Sequence, residues 1–361
     1  MKIVGVRTHA LTLPLHTTFV TALRRTSVIE TLVAEIVAED GTSGFGEAPQ
    51  VWQVTGDSVA GARACIEGPM TAQVLGRDVH DTVRLLRDVR GTVAGNTSAK
   101  AAIDVAVHDL LARLHEVPLV RWLGGTSMTV RTDVTLPVGS TDALVEAAVA
   151  RVADGFAVLK VKVGTDPRAD VRAVTAIRDA VGPLTKLRLD ANQGWTERQA
   201  IRAVRMLEDA QADIELVEQP VAAHDIDGLA RVTAHVDTPI MADEAVYGIS
   251  DLIEVIRRHA ADMVNVKLAK CGGLAVGRTL LELATSAGLE TIVGSMMESP
   301  IGVGAAASLA AAYGTSATSD LDAAWWLERR GPGGITYENS EVTLPNRRGL
   351  GIDDINDLLG R

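Results

Sequence analysis

The chain is poor in several residue types that would announce a function directly. Two cysteines, Cys65 and Cys271, are too few for a disulfide framework or a zinc cluster. Positive charge is in deficit: Lys+Arg total 35 against Asp+Glu 46, a formal net charge of -11. A dedicated nucleic-acid binder needs a basic face to displace counterions, so that class is excluded. No apolar run is long enough to cross a bilayer; Ile301 to Tyr313 is the longest bland stretch. Met1 to Leu15 lacks the continuous apolar core and small-residue cleavage site of a signal peptide. The expectation is a soluble cytoplasmic protein with no membrane partner. Aromatics are only 3%, yet hydrophobic residues reach 47% and mean hydropathy is +0.17, so a large core is available and disorder is excluded.

What is present divides in two. Lys2–Leu13 and Glu30–Glu39 alternate or run apolar as strands do, with a tight turn expected at Asp40-Gly41. Polar, irregular segments at Pro14–Thr26 and Glu47–Ser58 read as binding loops, and a helical pattern covers Ser98–Leu114. From about residue 128, short apolar runs alternate with Ala/Arg/Glu-rich helical stretches, which implies a parallel sheet. Eight such runs fit a closed (β/α) barrel. The predicted division is an α+β domain over 1–125, a barrel over 126–330, and a C-terminal segment, 331–361, returning to the first domain.

The polar residues ending these runs are evenly spaced. Thr135, Lys162, Asp190, Glu218, Asp243, Lys267, Ser295 and Asp320 are separated by 27, 28, 28, 25, 24, 28 and 25 residues. One βα unit is about that long, so each residue is expected at the C-terminal end of its strand, the face that holds active sites in such barrels.

Asp190, Glu218 and Asp243 come from three successive strands. Carboxylates converging at one barrel mouth repel unless a cation sits among them, and an all-oxygen set suits Mg²⁺, with Mn²⁺ possible. The alternative is that each acid caps the helix after its strand. Lys160 and Lys162 are two apart on a strand and so share a face, with Val161 and Val163 on the other. Buried like charges are expected to lower the ammonium pKa, as a general base requires. Lys267 ends a later strand and so lies across the mouth. The alternative is three lysines paired structurally with the acids. Two lysine bases on opposite faces of an α-carbon, with a metal stabilising the enediolate, would racemise or epimerise. Asp320 and Asp322 share a face at the last strand's end and would suit a substrate ammonium group, or else form a turn. Their distance round the barrel from Asp190 argues against extra metal ligands. Glu298 either lines the same pocket or caps a helix.

KVKVG at 160–164, LDAN at 189–192, VEQP at 217–220, ADE at 242–244 and VKLAKCGG at 266–273 resemble the enolase superfamily, in its muconate lactonizing branch. The resemblance runs over essentially the whole chain. It implies an α/β fold: a modified (β/α)₇β TIM barrel under an N-terminal α+β capping domain whose two loops close the pocket. It implies Mg²⁺ on Asp190, Glu218 and Asp243, Lys162 and Lys267 as the acid/base pair, and Lys160 beside Lys162. Proteins of this family are often homo-oligomers.

FVTALRRT at 19–26, TGDS at 55–58, MMES at 296–299 and SDLDAAW at 319–325 are most similar to the dipeptide epimerases within that branch. The resemblance implies that Asp320 and Asp322 bind a dipeptide's α-ammonium and that the C-terminal residue's α-carbon is inverted. Arg24 matches the loop arginine that binds an acidic substrate side chain in alanyl-glutamate epimerases. Thr135, Met297, Val20, Arg25 and Trp52 fall where the substrate is expected. The expected partner is a dipeptide or another amino acid derivative. Alternatives are an N-acylamino acid racemase, a dehydratase or cycloisomerase of the same branch, and a barrel kept only for binding.

Overall fold

A computed structural model describes residues 1–20, 25–329 and 331–359. The chain begins with an antiparallel sheet of β1 (Ile3–Val20), β2 (Arg25–Ala38) and β3 (Ser43–Pro49), in that order. β2 is a nearly continuous apolar run because both of its faces are covered. Leu32, Ala34, Ile36 and Ala38 pack with the helices of this domain, while Ile29 and Val33 join the core shared with the barrel. The helix Thr97–Leu114 lies so close to β3 that a β-carbon on Gly46 would stand 2.0 Å from Ala102 O. Asp40 and Gly41 turn the chain from β2 to β3, with Gly41 at φ +87° and Asp40 Oδ1 accepting from Thr42 N–H.

The first expected loop is mostly strand. β1 pairs with β2 as far as Pro14 and Val28, shifts register, and resumes with Phe19 opposite Thr26 and Val20 opposite Arg25. Phe19 is thereby buried at 6% exposure, which anchors a stretch whose polar composition reads as irregular.

A short strand, β4 (Thr129–Arg131), leads into the barrel. Seven parallel strands follow in sequential order: β5 (Val134–Leu136), β6 (Val158–Lys162), β7 (Lys186–Asp190), β8 (Ile214–Glu218), β9 (Ile240–Ala242), β10 (Met263–Lys267) and β11 (Glu290–Gly294). The eighth expected run makes single parallel bridges, Ser319 to Thr132 and Asp320 to Gly294, and so spans the gap between the first and last strands. The fold is a modified TIM barrel with an α+β capping domain. Asp190 pairs with Lys162 on one side and Glu218 on the other, but Glu218 pairs with Met241, so Asp243 stands two residues beyond that level. The stagger of barrel strands makes equal sequence spacing only approximate in height.

The C-terminal chain forms β12 (Thr336–Glu338) and β13 (Glu341–Thr343) beside β4. It then meets the capping helix, where Leu350 N–H donates to Asp109 Oδ1 at 2.7 Å and Arg113 donates to the Ile352 carbonyl. A second tie joins cap and barrel. Glu47 accepts from Ser299 N–H, Ser299 Oγ and Gly302 N–H, at the N-terminus of the helix Pro300–Tyr313. Among the described residues no helix is long and apolar enough to cross a membrane.

Candidate active site

The strand ends gather three carboxylates around one ammonium group. Lys160 Nζ lies 2.6 Å from Glu218 Oε2, 2.8 Å from Asp320 Oδ2 and 3.0 Å from Asp190 Oδ2. Lys162 Nζ is 2.5 Å from Asp190 Oδ2. Lys267 Nζ is 2.8 Å from Asp243 Oδ2 and 3.7 Å from both Glu218 Oε1 and Asp320 Oδ2. Lys160 and Lys162 do project inward together, with Val161 and Val163 buried on the opposite side.

For Lys160 this pairing reverses the expected depression of the ammonium pKa. Burial alone pulls Lys160 down, but Asp190, Asp320 and Glu218 outweigh it and hold the ammonium well above its ordinary value. Lys267 is likewise pulled down by burial and raised on balance by Asp243 and Glu218. The like charges are interleaved with carboxylates rather than left facing each other. Asp190 and Asp243 are held below the usual carboxylate range, burial being outweighed by their lysines. Glu218 goes the other way: burial and the neighbouring Asp190 push it up to about 8. Asp320 also departs from expectation. It shares Lys160 with Asp190 and Glu218, so it belongs to the acid cluster instead of standing apart from it.

Asp322 is held differently. Its Oδ2 accepts from Thr135 N–H at 2.8 Å and from the Trp326 indole N–H at 3.0 Å. Asp320, Asp322, Thr135 and Met297 all line a cavity of about 80 Å³ together with Lys160, Lys162, Lys267 and Asp243. Its roof comes from the capping domain, through Phe19, Val51, Gln53 and Val54. Tyr247 Oη donates to Val54 O at 2.5 Å and fastens that second loop to the barrel. A neighbouring cavity of about 130 Å³ shares Gln53 and Met297 and is bounded by Arg25, Glu30, Gln50 and Trp52. Arg24 lies outside the described residues. Glu298 does not line the cavity: it is buried, accepts from Met296 N–H at 2.8 Å, and is pushed up to about 8 by burial and by Glu47.

Several polar groups of the site are not evident from strand-end spacing. Lys270 Nζ lies 2.5 Å from Asp243 Oδ1, so Asp243 is gripped by two ammonium groups. Asn265 Nδ2 donates to Glu218 Oε1 at 3.0 Å, and Asn192 Nδ2 to Glu244 Oε1 at 3.2 Å. Burial and Asp243 push Glu244, which lines the cavity, up to about 7. Arg188 reaches Asp133 Oδ2 at 3.1 Å one layer below. The signal was the period of two: Asp133, Arg188 and Asn265 each precede a strand-end residue by two and share its inward face.

Among the described residues no group of three His, Cys, Asp or Glu side chains is spaced as a metal cage. The carboxylates are spaced by the ammonium groups between them. Their chemistry nonetheless fits a hard divalent ion, being all oxygen, buried, and sufficiently crowded that Glu218 resists ionising.

Residues 2–124 match the N-terminal domain of the mandelate racemase and muconate lactonizing enzymes, and residues 143–357 match the enolase C-terminal domain-like family. The chain is an enzyme of the enolase superfamily. Within the superfamily it is 40% identical over 354 residues to the L-Ala-D/L-Glu epimerase of Bacillus subtilis, covering 98% of this chain and 97% of that one. The substrate-liganded structure of that epimerase superposes with a TM-score of 0.95 over 98% of this chain and 99% of that one. The chain is 39% identical to the hydrophobic dipeptide epimerase of Enterococcus faecalis, covering 98% and 99% of the two. The dipeptide epimerase structure from Enterococcus faecalis, complexed with Mg and L-Leu-L-Tyr, matches with 38% identity and a TM-score of 0.94 over 98% and 100%. An N-succinyl-L-Arg/Lys racemase of Bacillus cereus is 30% identical, covering 99% and 97%.

Proposed function

We propose that this enolase-superfamily member is a Mg²⁺-dependent L-dipeptide epimerase that inverts the α-carbon of the C-terminal residue. The observation that carries the reading is that Lys162 and Lys267 enter one cavity from β6 and β10, four staves apart in the barrel order. Four staves of eight is a half turn, so the two nitrogens approach a central carbon from opposite sides. Asp190, Glu218 and Asp243 would hold the metal. Bound there, Mg²⁺ supplies positive charge to the substrate carboxylate as the α-proton leaves.

The residues do the rest. Lys162 takes the α-proton from one face. Lys267, kept as an ammonium by Asp243 and Glu218, returns a proton to the other face of the planar enediolate. Lys160 holds positive charge between Asp190, Glu218 and Asp320 throughout. Asp320 and Asp322, on the wall beside Thr135, receive the substrate's α-ammonium. The side chain is received beside Met297, with Arg24 engaging an acidic one. The buried site excludes water from the carbanion.

The carboxylates Asp320 and Asp322 favour a dipeptide over the N-acylated substrates named for the Bacillus cereus relative, which carry no ammonium at that position. Incubating a dipeptide library in D₂O with Mg²⁺ tests the reading. Deuterium is expected at the C-terminal residue's α-carbon, with both configurations appearing. Exchange confined to N-acylamino acids would instead make the enzyme a racemase.

A further inference from the structure

Trp326 is almost fully buried, at 2% exposure, and joins the capping domain to a carboxylate facing the cavity. Its indole N–H and the Thr135 backbone N–H both donate to Asp322 Oδ2, at 3.0 and 2.8 Å. No described residue donates to Oδ1. Two donors on one oxygen fix the plane of the carboxylate and leave its other oxygen available to the cavity that Asp322 lines. The capping side of the indole is occupied by the end of β1. His16 stacks on it at 5.2 Å with an interplanar angle of 25°, and Phe19 meets it edge-on at 5.8 Å. The backbone is pinned beside these rings, since Glu328 N–H donates to Pro14 O at 2.9 Å. Phe19 itself lines the cavity.

We infer that Trp326 is a positioning residue: it presents Asp322 to the substrate's ammonium group and ties that presentation to the seating of β1 on the barrel. The assignment rests on the dipeptide reading above. Without the indole N–H, Asp322 keeps one donor and is free to turn toward Lys160, the cation that already collects Asp190, Glu218 and Asp320. A carboxylate drawn that way is lost to the substrate. Pre-set orientation of a binding group acts on affinity for the group it contacts and spares the proton transfers at the α-carbon.

Trp326→Phe keeps an aromatic ring and removes the donor. With a dipeptide substrate, KM is expected to rise about tenfold, the size of one lost hydrogen bond to a charged group, while kcat changes less than about threefold. The des-amino analogue, an N-acyl amino acid of the same length lacking only the ammonium group, should inhibit wild type and variant with Ki values within about twofold. His16→Ala, which leaves the indole in place but strips its stacking partner, should raise KM for the dipeptide by a smaller factor. A purely structural role would move KM, kcat and the analogue's Ki together in both variants. A wild-type KM in Trp326→Phe, or an equal loss for the analogue, overturns the inference alone. A wild-type enzyme that exchanges no dipeptide overturns the dipeptide reading and this inference with it.

Discussion

The backbone of Gly294 lies against the side chain of Lys267: a β-carbon there would stand 2.8 Å from Lys267 Cε and 2.5 Å from Asn265 Oδ1. Gly294 pairs directly with Lys267 across β10 and β11. Any side chain therefore pushes both the proposed acid/base group and the asparagine that supports Glu218. Gly294→Ala is expected to cost about 1–3 kcal/mol of stability through overpacking. Turnover should fall more steeply, by at least tenfold, because displacement of a reacting group by 1 Å is felt in the chemistry. Thermal melts alongside the D₂O exchange assay separate the two effects; a variant with normal turnover removes the close approach as a constraint on Lys267.

Lys162→Ala and Lys267→Ala should each abolish epimerisation, with losses on the order of 10²–10⁴-fold for a missing acid/base group. Their exchange patterns should differ. Each variant keeps one lysine and should wash deuterium into only one configuration of the substrate, the two variants being complementary. NMR of each configuration in D₂O reads this out. Identical patterns would mean that one lysine serves both faces and would favour a lyase or cycloisomerase reaction.

Chelation with EDTA should stop exchange, and Mg²⁺ should restore it. Glu218→Gln is expected to weaken Mg²⁺ binding at least tenfold by calorimetry. Lys160→Met leaves Asp190, Glu218 and Asp320 without their shared buried cation, a change worth about 3–5 kcal/mol. Added Mg²⁺ should consequently raise the melting temperature of Lys160→Met more than that of the wild type. Equal Mg²⁺-induced shifts would show that the metal does not substitute for the ammonium charge.

Glu298 offers a pH test away from the reacting groups. Burial and Glu47 raise its folded-state pKa from 4.5 to about 8. Between those values the folded chain holds a proton that the unfolded chain has released. Its contribution to stability is complete below about pH 4.5 and is lost as pH rises through about 8. The melting temperature of the wild type should therefore fall between pH 5 and pH 8 more steeply than that of Glu298→Gln, which carries no titrating proton. Parallel curves would mean that Glu298 is ionised throughout that range.

Much of the site was legible before the fold was known, because a parallel barrel converts a repeat of about 27 residues into a ring of side chains. Lys162, Asp190, Glu218, Lys267 and Asp320 were all marked by ending apolar runs at that interval, and all meet at one end of the barrel. The layer beneath was less legible. Arg188 and Asn265 sit mid-strand, two residues before Asp190 and Lys267, so the period of two sends them inward. Only the closed sheet shows that their partners there are Asp133 and Glu218. Lys270 was hidden for another reason. It lies on the turn after β10, and its reach to Asp243 depends on how that turn folds back.

By itself, the sequence determined the architecture, the run of acids and lysines, and their assignment to strand ends, since periodicity and spacing are properties of the chain alone. The tertiary structure decided charge state and orientation. Lys160 has two neighbours in sequence but three carboxylates in space, and those carboxylates reverse the direction in which burial alone would move its proton. Glu298, four residues past the end of β11, turned out to face Glu47 of the capping domain rather than the cavity. Coulomb energy depends on distances between residues far apart in the chain, and folding alone sets those distances.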